Sequence, residues 1–262
     1  MPRLRLVTFN LAHGRGLTPV QGFTSARKLR ANLRRIATLL GKLAPDVVAL
    51  QEVDECSRWA GNFDHLDYLR AHAGFPHSVF GIHNRLHGLI KLSYGNALLS
   101  RHPILASETV AFGLRPVGEK GFLFAELDLA GQTVPLVNAH LHATSRARRL
   151  AQASRLADWL THRHTAHARR WSVPPIVCGD FNNPSTAPDA TASLLSHLGH
   201  VGSHSHYALY PPAAGGATFP SPLPRRALDF VLVPGGCRVV HCEVVRTLLS
   251  DHCPVLVELE FG

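Results

Sequence analysis

Two short segments constrain this chain more than any others: Val177-Cys178-Gly179-Asp180-Phe181-Asn182-Asn183 and, near its end, Ser250-Asp251-His252-Cys253-Pro254. Each sets compact oxygen or imidazole groups directly beside a short apolar run of strand type. A β-sheet presents chemistry in this way, with the apolar run buried and the polar residues emerging at its rim. Acids and amides at two such rims, without a thiolate cluster, suggest a hard-cation site and phosphate chemistry.

The rest of the chain supplies the sheets. Residues 3–9 alternate as a half-buried strand. Ser25 is an N-cap for a helix that carries Leu29, Leu33, Ile36, Leu40 and Leu43 on one stripe and stops at Pro45. Asp46 to Leu50 then leads to Gln51-Glu52, a βαβ-like opening. Residues 55–93 are the least regular part, with one helix expected from Asp64 to Ala73. Strands are expected over 94–100, 122–129 and 133–138, with Gly131-Gln132 turning the last pair. A second long helix starts near Thr144 or Ser145, a few residues after His140. Further strands follow at 176–178, 228–233, 239–245 and 255–259, with a Pro- and Gly-rich loop over 210–224. With no internal repeat or linker, one domain spanning 1–262 is expected.

Charge narrows the partners. Lys and Arg number 27 against 18 Asp and Glu, a net +9, which favours nucleic acid, anionic lipid or phosphorylated small molecules. The excess gathers at Arg27-Lys28, Arg30, Arg34-Arg35 and at Arg146, Arg148-Arg149, Arg155, on faces expected to be exposed. Solvated surface and phosphate steering are both open for them. Five cysteines, an odd count without a C-x-x-C pair, argue against a disulfide framework and a thiolate zinc site. No apolar run approaches the ~18 residues of a membrane span, and no signal-peptide pattern follows Met1, so a cytoplasmic protein, as a monomer, is expected.

The polar residues at strand ends form an ordered set that resembles the endonuclease/exonuclease/phosphatase superfamily. The matching blocks are Thr8-Phe9-Asn10, Leu50-Gln51-Glu52-Val53, residues 94–104, Asn138-Ala139-His140-Leu141, Gly179 to Asn183, residues 228–233 and residues 250–255. The resemblance implies an α/β four-layer sandwich, two packed mixed β-sheets flanked by helices. It also implies Mg2+, or Mn2+, held chiefly by Glu52, with Asn10 and Asp251 supporting that ion or a second one. His252 would be oriented by Asp229, and either His252 or Asp180 would activate water. Asn182 would donate to a phosphoryl oxygen, His140 would stabilise the phosphoryl group or assist the leaving group, and Asn96 and Asn138 would bind substrate. Taken singly, each residue has a plainer reading: Glu52 as a surface carboxylate, Asp229 as a turn residue, Asp180 and Asn182 as an Asx-turn.

The resemblance leaves the substrate open. A phosphodiester in nucleic acid is the first expectation, a phospholipid headgroup diester the second, and a soluble phosphomonoester the third. The rival outside enzymology is a phosphate-binding module that has lost its chemistry. A lipid phosphodiesterase needs an apolar rim, for which Trp59, Phe63, Tyr68 and Phe80 are the candidates. His140-Leu141-His142-Ala143 is loosely similar to the sphingomyelinase branch. His162, His164 and His167 suit a helix end, and His204 and His206 a loop, rather than a second metal site.

Overall fold

The computed structural model describes residues 2–88, 91–115, 117–167, 169–183, 188–199, 206–212 and 215–262. In chain order the strands begin with β1 (Arg3–Asn10), β2 (Val47–Asp54), β3 (His77–Leu86), β4 (Leu92–Ser100), β5 (Ile104–Ala111) and β6 (Gly121–Leu129). They continue with β7 (Gln132–His140), β8 (Ile176–Asp180), β9 (Tyr207–Tyr210), β10 (Asp229–Pro234), β11 (Cys237–Val244) and β12 (Val255–Phe261). The α-helices are α1 (Ala26–Leu43), α2 (His65–Ala73), α3 (Arg146–His167) and α4 (Ala190–Leu198).

Two mixed sheets result, in the orders β11-β12-β1-β2-β4-β3 and β5-β6-β7-β8-β10-β9. Both repeat one connectivity. An antiparallel pair (β11–β12 or β5–β6) flanks a parallel pair (β1–β2 or β7–β8), and a second antiparallel pair closes the sheet. Each parallel pair is joined through a long helix, α1 or α3, because parallel strands need a crossover.

The central strands are apolar on both faces, as strands covered from both sides must be. In β1, Leu4 and Leu6 meet Leu98, Leu123, Leu136 and Val257 between the sheets, while Val7 and Phe9 pack with Leu33, Ile36 and Leu40 of α1. In the second sheet Val137 and Phe230 pack outward with Leu156 and Leu160 of α3. Helix, sheet, sheet and helix are therefore the four layers.

Local signals place the ends. The Ser25 hydroxyl caps α1 by accepting from the Lys28 N–H, and α1 closes through Ala44 in left-handed conformation before Pro45. The β6–β7 turn is Ala130-Gly131, both with positive φ, one residue earlier than Gly131-Gln132. Four elements were not expected: β3, β5, α4, and β9, which claims Tyr210 from the expected loop. Arg149, expected on an exposed face, is buried and paired with Asp189 at 2.5 Å. His204 lies outside the described residues. No described helix is long and apolar enough to cross a membrane.

One polar network crosses the apolar middle layer. The Asn138 amide of β7 donates to the carbonyls of Leu50 (2.8 Å) and Ala97 (3.0 Å) in the other sheet, and its oxygen accepts from Gln51 Nε2 (2.7 Å). Asn96 Nδ2 donates to the carbonyls of Asn138 (2.9 Å) and Gly121 (3.3 Å). Asn138 and Asn96, expected to bind substrate, instead spend both amide hydrogens inside the protein and join the sheets. Buried polar groups must be paired, and each one orphaned costs about 1–3 kcal/mol. Asn138→Leu should therefore cost roughly 3–5 kcal/mol in urea unfolding with an unchanged m-value. A loss under ~1 kcal/mol would show that the network does not hold the sheets.

Candidate active site

The two parallel pairs end at one edge of the sandwich. β1 stops at Asn10 and β2 runs on through Glu52, while β7 stops at His140 and β8 at Asp180. Antiparallel neighbours enter from the same edge: Asp229 opens β10 opposite Asp180, and Asp251-His252 precede β12. The carboxyl ends of parallel strands are where α/β sheets place ligand sites. Here Asn10, Glu52, His140, Asp180, Asn182, Asp251 and His252 line one cavity of about 300 Å³, with Arg15, Lys120, Phe219 and Arg226. Asp229 stands behind His252, and Asn96 and Asn138 are not in the lining.

The backbone is strained where the cavity needs side chains aimed. Glu52 has φ +54° at a register shift between Leu50 and Val53, so a bulge turns its carboxylate out of the ladder. Asn182 has φ +55°. Non-glycine residues in this region persist where the surroundings over-determine them. Gly179, at φ +137°, lets β8 close on β7, since a Cβ there would lie 1.9 Å from the Ala139 carbonyl oxygen.

On one wall, His252 Nδ1–H donates to Asp229 Oδ2 (2.8 Å), which also accepts from the Thr218 hydroxyl (2.6 Å). Burial alone would favour a neutral ring, but the Asp229 and Asp180 carboxylates outweigh it and push the His252 pKa up to about 10. Its Nε2 faces Asp180 Oδ2 at 3.8 Å. Burial, reinforced by the Asp229 charge, pushes the Asp180 carboxyl up to about 7. Asp180 is oriented from both sides, by Asn10 Nδ2 on Oδ2 and by the Asn182 N–H on Oδ1, each at 2.9 Å.

On the other wall, Glu52 is 22% exposed at its side chain and receives Lys120 Nζ at 3.3 Å. Burial opposes its charge, yet Lys120 and His13 hold its carboxyl well below the usual range. Lys120 also donates to His140 Nδ1 (3.3 Å). An ammonium has only donors, so this contact fixes the tautomer with hydrogen on His140 Nε2, 3.5 Å from Asp180 Oδ2. Burial and Lys120 together keep the His140 ring neutral. His140 is thus built to donate into the cavity, not to take a proton from it.

Several participants were not foreseen. His13 donates to Asp54 Oδ2 (2.6 Å), Trp59 Nε1 donates to Asp54 Oδ1 (2.8 Å), and His13 Nε2 lies 3.6 Å from Glu52. Arg15 pairs with Asp251 at 2.9 Å. The spacing of Glu52 and Asp54, two residues apart in β2, was a readable signal for a shared side. Nothing in the sequence placed His13, Arg15 or Thr218.

The donor chemistry fits a hard divalent ion at Glu52. Glu52 and Asp251 bring carboxylate oxygens to the same cavity, Asn10 adds an amide oxygen that also accepts from the Ala12 N–H (2.9 Å), and Glu52 is ionised. Ligand atoms of Asp180, Asp229 and His252 also lie within 4.8 Å of one another. That cluster is a poorer ligand set, because His252 is protonated and its Nδ1–H is spent on Asp229.

Residues 7–252 match the sequence profile of the Endonuclease/Exonuclease/phosphatase family. No curated protein is significantly similar in sequence. Among solved structures, an endonuclease/exonuclease/phosphatase from Beutenbergia cavernae DSM 12333 is similar at TM-score 0.72 and 22% identity, over 100% of this chain and 72% of that one. The mannosyl-6-phosphatase Bt3783 of Bacteroides thetaiotaomicron VPI-5482 is similar at TM-score 0.73 and 16% identity, over 98% and 100%. Sphingomyelinase C from Streptomyces griseocarneus is similar at TM-score 0.63 and 21% identity, over 98% and 99%. At such identities the likeness is one of fold. The profile match over nearly the whole length goes further: the chain belongs to the endonuclease/exonuclease/phosphatase family.

Proposed function

We propose that this chain, acting as one domain, is a Mg2+- or Mn2+-dependent phosphoester hydrolase that cleaves phosphodiesters of nucleic acid. The reading rests on one observation above all. Glu52, His140, Asp180 and His252 line a single cavity with the cations Arg15, Lys120 and Arg226, in a chain of net charge +9. A divalent ion held by Glu52, with Asn10 and Asp251, would neutralise charge on a phosphoryl oxygen.

The chain's own groups divide the remaining work. Asp180, buried and oriented by Asn10 and Asn182, takes the proton of an in-line water, and a carboxyl near 7 suits a base at neutral pH. His252, cationic on Asp229, and His140, through Nε2–H, donate to the phosphoryl oxygens as charge develops. Asn182 gives one amide hydrogen to the Leu141 carbonyl and keeps the other for substrate. An inactive binding module is disfavoured, since Glu52, His140, Asp180 and His252 share one cavity and Asp180 and His252 are each held by hydrogen bonds.

Phospholipid is the second reading, though not on the residues first considered. Trp59 packs at a tilt against Tyr94 and bonds Asp54, Phe63 lies between Arg30 and Tyr68, and Phe80 packs against the core, so these aromatics form no free rim. The exposed Leu223 and Leu248 do favour it, because they line a groove beside Ser221, whose N–H donates to the Asp251 carbonyl.

The test is Mg2+-dependent hydrolysis of bis-p-nitrophenyl phosphate against p-nitrophenyl phosphate. His252→Ala should fold normally and lose at least ~100-fold in kcat, the scale of a lost acid–base or charge-stabilising group. Near wild-type turnover would remove His252 from the reaction. Glu52→Gln should raise the Mg2+ concentration needed for half-maximal activity and lower the maximum, and an unchanged Mg2+ curve would place the ion elsewhere. In chelated protein, NMR titration should find His252 protonated through neutral pH and Asp229→Asn should bring its pKa down, the sign expected when a partner carboxylate holds the charged form. A neutral His252 at pH 7 in the wild type would contradict the described pair.

A further inference from the structure

A second hollow of about 250 Å³ adjoins the reactive cavity, lined by Phe112, Arg115, Glu119, His142, Arg148 and Gln152 among others. Consecutive residues face the two spaces: Lys120 and Ala143 line the first, Glu119 and His142 the second. Neighbouring Cα atoms are ~3.8 Å apart, so at these two places a single stretch of chain divides the hollows.

The chemistry of this hollow lacks a partner. The N–H groups of Thr144 (3.3 Å) and Ser145 (3.1 Å) both donate to His142 Nδ1. A neutral ring that accepts at Nδ1 carries its hydrogen on Nε2. That Nε2 meets Arg148 Nη1 at 3.1 Å, and a guanidinium also only donates. Two donors therefore face each other with no acceptor between them. Burial and the positive charges of Arg148, Lys120, Arg149 and Arg115 keep His142 from gaining a second proton. Neither Arg115 nor Arg148 pairs with a carboxylate among the described residues. Glu119 brings a carboxylate to the lining, but it is held within the wall: its Oε1 accepts from the Lys120 N–H and its Oε2 lies against Gly113, so it reaches neither Arg115 nor Arg148. An oxyanion would satisfy both donors at once, and the planar fork of arginine matches it.

We infer that the hollow is a second anion subsite, which takes a further phosphate of the same substrate molecule beside the phosphate being cleaved. The inference rests on the phosphoester reading of the neighbouring cavity. It selects substrates with at least two phosphates, either successive phosphates of a nucleic-acid chain or a soluble bisphosphate, over simple monoesters.

Calorimetric titration in chelator, where nothing turns over, separates the cases. Thymidine 3′,5′-bisphosphate is compared with thymidine 5′-monophosphate, and fructose 1,6-bisphosphate with fructose 6-phosphate. Wild type should prefer the bisphosphate of at least one pair by roughly 10-fold, and Arg115→Ala/Arg148→Ala should bring that ratio near one. A preference in the nucleotide pair alone assigns the chain phosphate, and one in the sugar pair a soluble bisphosphate. Equal affinities in both pairs, or a preference that survives in the variant with an unchanged unfolding midpoint, would overturn the subsite. Hydrolysis of bis-p-nitrophenyl phosphate engages the reactive cavity alone, so its failure with the preference intact overturns the reaction and leaves the subsite standing.

Discussion

The Asn138 carboxamide is the contact on which the site depends. Two sheets that met only through Leu, Val and Cys side chains could slide, because apolar contact is non-directional. Asn138 bonds Leu50, Ala97 and Gln51 at once and fixes β7 against β2 and β4 close to their polar ends. His140 follows it by two residues on one sheet, as Glu52 follows Leu50 on the other. A shift between the sheets would separate His140 and Asp180 from Glu52 and Asn10, which come from opposite layers.

Given that register, the walls of the cavity hold opposite roles. The Glu52 wall keeps a carboxylate ionised under Lys120 and His13, and the His252 wall keeps an imidazolium under Asp229. Asp180 lies between them with three donors around it and the least settled proton. Pairs of titratable groups pushed apart by their surroundings are the mark of acid–base assignment. The strained φ at Glu52 and Asn182 is local and is borne by the sheets around it.

Much of this was legible in the sequence, for a physical reason. The central strands are continuous apolar runs that end in short polar blocks, so β1, β2, β7, β8 and β12 and their terminal residues stand out. The elements that escaped lie at sheet edges or are short: β3, β5 and β9 are at or beside an edge strand position and are half-exposed, without the apolar run of a buried strand. The sequence does not separate the two roles open to Asn138, because a polar block at a strand end looks the same whether its amide meets a ligand or another sheet. Its neighbour two residues on, His140, does reach the cavity. Lys120 lies just before β6, and only the fold brings it to His140 and Glu52, 20 and 68 residues away in sequence.

The proposed chemistry stands on a hard-metal site at Glu52, distinct from the Asp180–Asp229–His252 cluster. Crystals grown with Mn2+ and measured at the manganese absorption edge test this most directly. The expected result is an anomalous peak about 2.1 Å from a Glu52 carboxylate oxygen, with Lys120 Nζ displaced from it. A peak held between Asp180, Asp229 and His252, or none in the cavity at saturating Mn2+, would contradict it.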